Sequence, residues 1–161
     1  MRLPATWIYW APLCTAGLHI FEEFVFPGGF MAWYRKSRPT MQASITPRFL
    51  IVVNVLLLIL CYDVGAMAWR PLGTQLWFLV AAILFANGIW HLVGTIRTRS
   101  YSPGLVTGLA LYVPVGILGA VQLIRSGQTS IAGALPAAAL GASYQLWSNL
   151  LHRRRARLRS K

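Results

Sequence analysis

Leu50-Ile51-Val52-Val53-Asn54-Val55-Leu56-Leu57-Leu58-Ile59-Leu60-Cys61 is an apolar run broken by a single amide side chain. Extended to residues 48–69, it is long enough to cross a bilayer, whose hydrocarbon core takes about 20 residues of helix. Four more stretches have the same character: residues 5–26, 75–96, 105–124 and 131–151. Turn chemistry separates them, at Pro27-Gly28-Gly29, Arg70-Pro71-Leu72-Gly73, Ser102-Pro103-Gly104 and Ser126-Gly127. The expected fold is therefore all-α: a polytopic bundle of five transmembrane helices over residues 1–151, followed by a basic cytoplasmic tail at 152–161. Pro114 and Pro136 are expected to kink the fourth and fifth spans.

Composition supports lipid as the solvent. Of 161 residues, 57% are hydrophobic and only 11% charged, and the mean hydropathy is +0.57. A soluble domain of this size could not bury so much apolar surface. The net charge of +12 would suit nucleic acid, but the cations stand at the ends of apolar runs. Anionic lipid is the expected partner and nucleic acid is not. Cys14 and Cys61 lie inside apolar runs and read as small fillers. The first run carries Glu22 and Glu23, which a cleaved leader would not tolerate, so it is expected to remain as a helix. Aromatic side chains gather where interfaces are expected: Trp7, Tyr9 and Trp10 at one end of the first span, Trp33 and Tyr34 beyond the other, and Trp69 and Trp147 closing later spans.

Orientation follows from Lys and Arg. With five spans, Arg35, Lys36, Arg38, Arg48, Arg97, Arg99, Arg153, Arg154, Arg155, Arg157, Arg159 and Lys161 share one side, against Arg2, Arg70 and Arg125 on the other. The positive-inside rule then puts the N-terminus outside and the C-terminus in the cytoplasm, in a multi-pass protein of the cell's inner membrane. Gly104 and Gly108, and the stripe Gly133, Ala137 and Gly141, permit close helix approach. The alternative use of those stripes is a face for a second copy of the chain.

The three acidic residues, Glu22, Glu23 and Asp63, all fall inside expected spans, where ionisable groups are costly and mark function. In His19-Ile20-Phe21-Glu22-Glu23, positions i, i+3 and i+4 share a helix face. At ~1.5 Å per residue these three lie roughly 5–11 Å below the cytoplasmic boundary. Asn87 and His91 on the third span, again i and i+4, and Asn54 on the second come to a similar depth, roughly 8–14 Å. Asp63 falls toward the other leaflet on an opposite face and reads as structural, with Arg70 or a backbone group as its partner.

His19-x-x-Glu22-Glu23, a second histidine at His91, and Tyr101-Ser102-Pro103-Gly104, in that order, resemble the HXXEE-domain family of bacterial and archaeal membrane proteins. The resemblance runs from the first span to the start of the fourth. It implies a membrane protein carrying these elements, and no assigned reaction.

Three readings of the site are open. His19, Glu22, Glu23 and His91 suit Zn²⁺ or Fe²⁺, with Asn87 orienting His91 from behind and Asn54 a further candidate there. Without metal, Glu22 or Glu23 acts as acid or base with His19 or His91, protonating, isomerising or cyclising an isoprenoid- or sterol-like double bond. Tyr101, at the cytoplasmic mouth, is a candidate gate or proton donor. Either enzyme would take a lipophilic substrate laterally from the bilayer. The third reading is an accessory subunit in which the polar cluster clamps helices together. Phosphate-binding glycine loops, a Ser-His-Asp arrangement and a diiron histidine pattern are not found in the sequence, and no inverted repeat suggests a transporter.

Overall fold

The computed structural model describes residues 6–68 and 70–159. Trp69, Arg2 and Lys161, to which expectations attach, lie outside them.

Among the described residues the chain is helical throughout: α1 (Trp7–Phe24), α2 (Phe30–Ser37), a 3-10 segment (Pro39–Ser44), α3 (Pro47–Ala66), α4 (Pro71–Thr98), α5 (Leu105–Arg125) and α6 (Ile131–Arg159). Pro47 and Pro71 occupy first-turn positions, where the missing N–H has no partner to lose. The Thr46 hydroxyl accepts from the Phe49 amide and caps α3. Within α5 the Gly108–Tyr112 turn widens to a π-helix just before Pro114, whose ring cannot accept the regular ladder.

The expectation of five spans is met only in part. Three helices are long and apolar enough to cross a membrane: α3, α4 and α5. The runs at 5–26 and 131–151 do form helices, α1 and the first part of α6, but they fall short of that apolar standard. The reason is compositional. α1 carries His19, Glu22 and Glu23, and α6 carries Gln145, Ser148 and Asn149. In both helices these polar groups turn inward: the three α1 residues are buried, and the α6 residues line an internal cavity. α6 runs on without a break through the basic residues of the expected tail to Arg159.

α4 is the axis of the bundle, with 39% of its apolar window enclosed against 17% for α3 and 22% for α5. α6 lies along it, and α1, α3 and α5 pack around it. The outer face of α3 presents Ile51, Val52, Val55, Leu56 and Ile59 outward, as a lipid-facing surface does. Gly88 of α4 and Gly108 of α5 meet backbone to backbone, so that a Cβ on Gly88 would fall 2.7 Å from the Gly108 carbonyl oxygen. Gly141 of α6 packs directly on the Leu79 carbonyl of α4. Gly108 and Gly141 thus serve contacts within the chain.

Two aromatic expectations are corrected. Tyr9 is fully buried and bonds Thr74 at 3.0 Å. Trp33 and Tyr34 do not face outward; they are the buried face of α2, packed on Trp90 and His91. Asp63 does not pair with Arg70: among the described residues both ion pairs belong to Glu23.

One polar bond in the core follows directly from the sequence. Pro12 sits inside α1 and has no N–H, so the Ile8 carbonyl loses its helical partner. The fully buried Trp77 of α4 donates its indole N–H to that carbonyl at 2.9 Å. Trp77→Phe keeps most of the packing and orphans the carbonyl. It should cost about 1–3 kcal/mol of stability, read by denaturant unfolding in detergent; a change below about 0.5 kcal/mol would show that the bond contributes nothing.

Candidate functional site

α1 is regular up to its last turns, so His19 and Glu23 fall one turn apart on the same inward stripe. α4 brings His91 to the same level. The imidazole Nε2 atoms converge on one carboxylate oxygen: Glu23 Oε1 lies 3.6 Å from His19 Nε2 and 3.2 Å from His91 Nε2. The two rings stand 5.0 Å apart, nearly perpendicular. All three residues are buried, His91 completely. They form a group whose donor atoms lie within 4.8 Å of one another, a spacing that could hold a metal ion.

Each imidazole is held from behind at Nδ1. His19 Nδ1 meets the Thr107 hydroxyl at 2.9 Å, and His91 Nδ1 meets the Ser102 hydroxyl at 2.9 Å. Such anchors fix ring orientation and, with Nδ1–H donating, leave each Nε2 as an acceptor on the side of Glu23. His91 Nε2 is buried and has no hydrogen-bond partner. His19 Nε2 accepts from Asn87 Nδ2 at 3.1 Å, while Asn87 Oδ1 accepts from Gln145 of α6 at 3.2 Å. Tyr112, on the π-turn of α5, lays its ring 4.6 Å from that of His19.

Glu22 faces elsewhere. Its Oε1 accepts from the Tyr101 hydroxyl and from the Gly104 and Val106 amides, both at 3.0 Å. Its Oε2 accepts from the Thr107 amide at 2.7 Å and from the Thr107 hydroxyl. Glu22 is therefore the anionic cap of α5, supplied from another helix at the end where Gly104 has no side chain to do so. The expectation that Glu22 joins His19, Glu23 and His91 as a ligand is not met geometrically, because both its oxygens are committed to donors.

The Tyr101-Ser102-Pro103-Gly104 turn is the lid of the cluster. Tyr101 bonds Glu22 and Ser102 bonds His91. Gly104, at φ +98°, presses its backbone against both imidazoles. Pro103 immediately precedes the helix cap, Gly104. The Tyr101 hydroxyl is raised to about pKa 12, first by partial burial and then by its bond to Glu22. Tyr101 remains 42% exposed, so a chain of bonds leads from the surface through Tyr101, Glu22 and Thr107 to His19.

A cavity of about 460 Å³ opens from the cluster, with His19, Glu23 and Asn87 at one part of its wall. Leu50, Val53, Leu57, Leu60, Ile83 and Leu84 make an apolar middle. Asn54, expected behind the ligands, lines this cavity instead and makes no hydrogen bond to the cluster. Sequence reasoning did not single out Thr107, Ser102, Tyr112 or Gln145. Only the hydroxyl inside the Tyr101–Gly104 motif carried any signal, since hydroxyls and amides are common in membrane helices.

Residues 10–118 match a family model described as a protein of unknown function with HXXEE motif. No curated protein and no solved structure matches the chain.

Proposed function

This chain belongs to the HXXEE family, and from that membership and the geometry of the motif residues we propose that it is a membrane enzyme whose His19, Glu23 and His91 bind one divalent metal, Zn²⁺ or Fe²⁺. Its substrate is a lipophilic molecule that enters the adjoining cavity from the bilayer. The observation that carries this reading is the convergence of the two Nε2 atoms on Glu23 Oε1, at 3.2 and 3.6 Å. Bonds of about 2.0–2.1 Å in a tetrahedral site hold neighbouring ligand atoms roughly 3.4 Å apart. Two imidazoles and one carboxylate also leave coordination positions open, as a catalytic metal requires. Such an ion would polarise a substrate oxygen or lower the pKa of a bound water. The protein's own part is to anchor both rings at Nδ1, close the site with the Tyr101–Gly104 turn and exclude bulk water.

The orientation that goes with this reading has the N-terminus outside, the C-terminus in the cytoplasm and the cluster in the inner-leaflet half of the cell membrane. All five long helices cross. The distribution of Lys and Arg supports it, and the inward-facing polar residues of α1 and α6 account for their lower apolarity.

Elemental analysis of protein purified without chelator tests the proposal. Wild type should carry about one Zn or Fe per chain, and Glu23→Gln at most a tenth of that. Sub-stoichiometric metal in both would overturn it. A second reading would then take its place: metal-free acid–base chemistry by Glu23 and the two histidines, on an isoprenoid-like double bond. The 3.1 Å bond from Asn87 to His19 Nε2 favours that alternative, since it occupies the lone pair a metal would use.

A further inference from the structure

The cavity has a second polar region besides the His–Glu cluster. Arg38, on the connection between α1 and α3, lines it together with Tyr34, Ser148, Asn149 and His152. The Arg38 guanidinium donates to Asn149 Oδ1 and lies over the Trp90 ring, 5.0 Å from its centroid. No carboxylate faces it: among the described residues both ion pairs are made by Glu23, with histidines. Burial, the largest cause, presses its pKa below the ordinary guanidinium value; Tyr34 acts against that, and the like charges of Arg97 and Arg153 add to it. A guanidinium stays charged nonetheless. Holding such a charge half-buried, beside like charges and with a neutral amide as its hydrogen-bond acceptor, is costly unless an anion completes the site.

We propose that Arg38 binds the phosphate head of a single-chain amphiphile whose apolar tail runs along the cavity past His19 and Glu23. The proposal rests on the reading of this cavity as the substrate site and adds the substrate's chemical class, a phosphorylated long-chain molecule. Phosphate suits the place better than carboxylate because the charges of Arg97 and Arg153 add to that of Arg38 and a guanidinium grips phosphate through paired N–H donors. The apolar wall of Leu50, Val53, Leu57 and Leu60 matches a hydrocarbon tail. A volume of about 460 Å³ is within the range of roughly 300–1,000 Å³ found for small-molecule sites.

Binding of n-dodecyl phosphate to the detergent-purified full chain, followed by quenching of tryptophan fluorescence, tests this. The comparison probes are dodecanol, dodecanoate, inorganic phosphate and vesicles of anionic phospholipid. Wild type should bind dodecyl phosphate at least tenfold more tightly than dodecanol and more tightly than dodecanoate. Arg38→Gln should abolish the preference, and Arg38→Lys should retain part of it. An unchanged preference in Arg38→Gln overturns the proposal. So does inorganic phosphate displacing the probe at equal concentration, which marks a free-anion site, or anionic vesicles competing equally well, which marks a bilayer-headgroup contact. If Arg38→Gln does not fold, protection of the cavity with Arg38 in place settles the matter: dodecyl phosphate, and not dodecanol, should block thiol labelling of Leu57→Cys in a Cys14→Ser background, since Cys14 is exposed, and equal blocking by both refutes the idea. Repeating the titration in EDTA and on Glu23→Gln separates this from the metal reading, since head-group preference should persist in both.

Discussion

Gly104→Ala is expected to lower metal content at least tenfold and to destabilise the protein by about 2–4 kcal/mol, the sum of an unfavourable backbone conformation and a steric conflict. Gly104 sits at φ +98°, which an L side chain adopts only with strain. Space is the larger problem. A Cβ there would stand 2.7 Å from His19 Cε1, 2.8 Å from His91 Cε1 and 3.0 Å from His91 Nε2. Neither ring can yield freely, because Thr107 and Ser102 hold them from behind. The substitution must therefore push apart the two Nε2 atoms that converge on Glu23, or lift the Tyr101–Gly104 turn off the site. Thermal unfolding in detergent and elemental analysis read the two consequences separately. Wild-type values in both would show that the turn does not close the cluster.

Glu22 and Glu23, adjacent in sequence, should behave in opposite ways. Glu22→Ala strips the acceptor from three backbone amides and two hydroxyls at once, and a loss on the order of 3–5 kcal/mol is expected. Glu22→Gln should be nearly as harmful, because it turns an NH₂ group toward donors that need an acceptor. Glu23→Gln meets no such wall of donors. It should lose the metal while keeping stability within about 1 kcal/mol of wild type, or gaining it, as functional polar residues commonly do. Denaturant unfolding of the three variants decides the matter. Equal destabilisation by Glu22→Gln and Glu23→Gln would mean that both carboxylates are structural and that the cluster is a helix clamp.

The contrast shows where sequence reasoning ran out. Helical periodicity places His19, Glu22 and Glu23 in one wedge of α1, and the wedge is real, since all three are buried. Within it, i+3 and i+4 still differ by about 100° of rotation. That rotation sends Glu22 to the start of α5 and Glu23 to His91, and no single-helix pattern contains either destination. Apolarity singles out only three of the five expected spans for a related cause. Mean hydropathy charges a helix for polar residues wherever they point, so α1 and α6, which hide theirs in the interior, read as weaker membrane segments than α3. Two members of the expected aromatic belt also turn inward. Trp33 and Tyr34 follow a span and look interfacial, yet the Pro27-Gly28-Gly29 turn folds α2 back over His91.

What the chain determines by itself is the helical class, the apolar runs and their breaks, and the rough level of the ionisable groups along the helices. These depend on the local period, on turn residues and on the cost of charge in hydrocarbon, all of which act within a few turns of helix. The choice of partners was decided only by the tertiary structure. The approach of α5 to α1 and α4 set which carboxylate caps a helix and which meets two imidazoles, and put Thr107 and Ser102 behind the rings, while contacts with α4 and α6 put Arg38 at the cavity. Those outcomes depend on relative rotation and translation of helices far apart in sequence, fixed by packing at contacts such as Gly88 against Gly108, which no local pattern encodes.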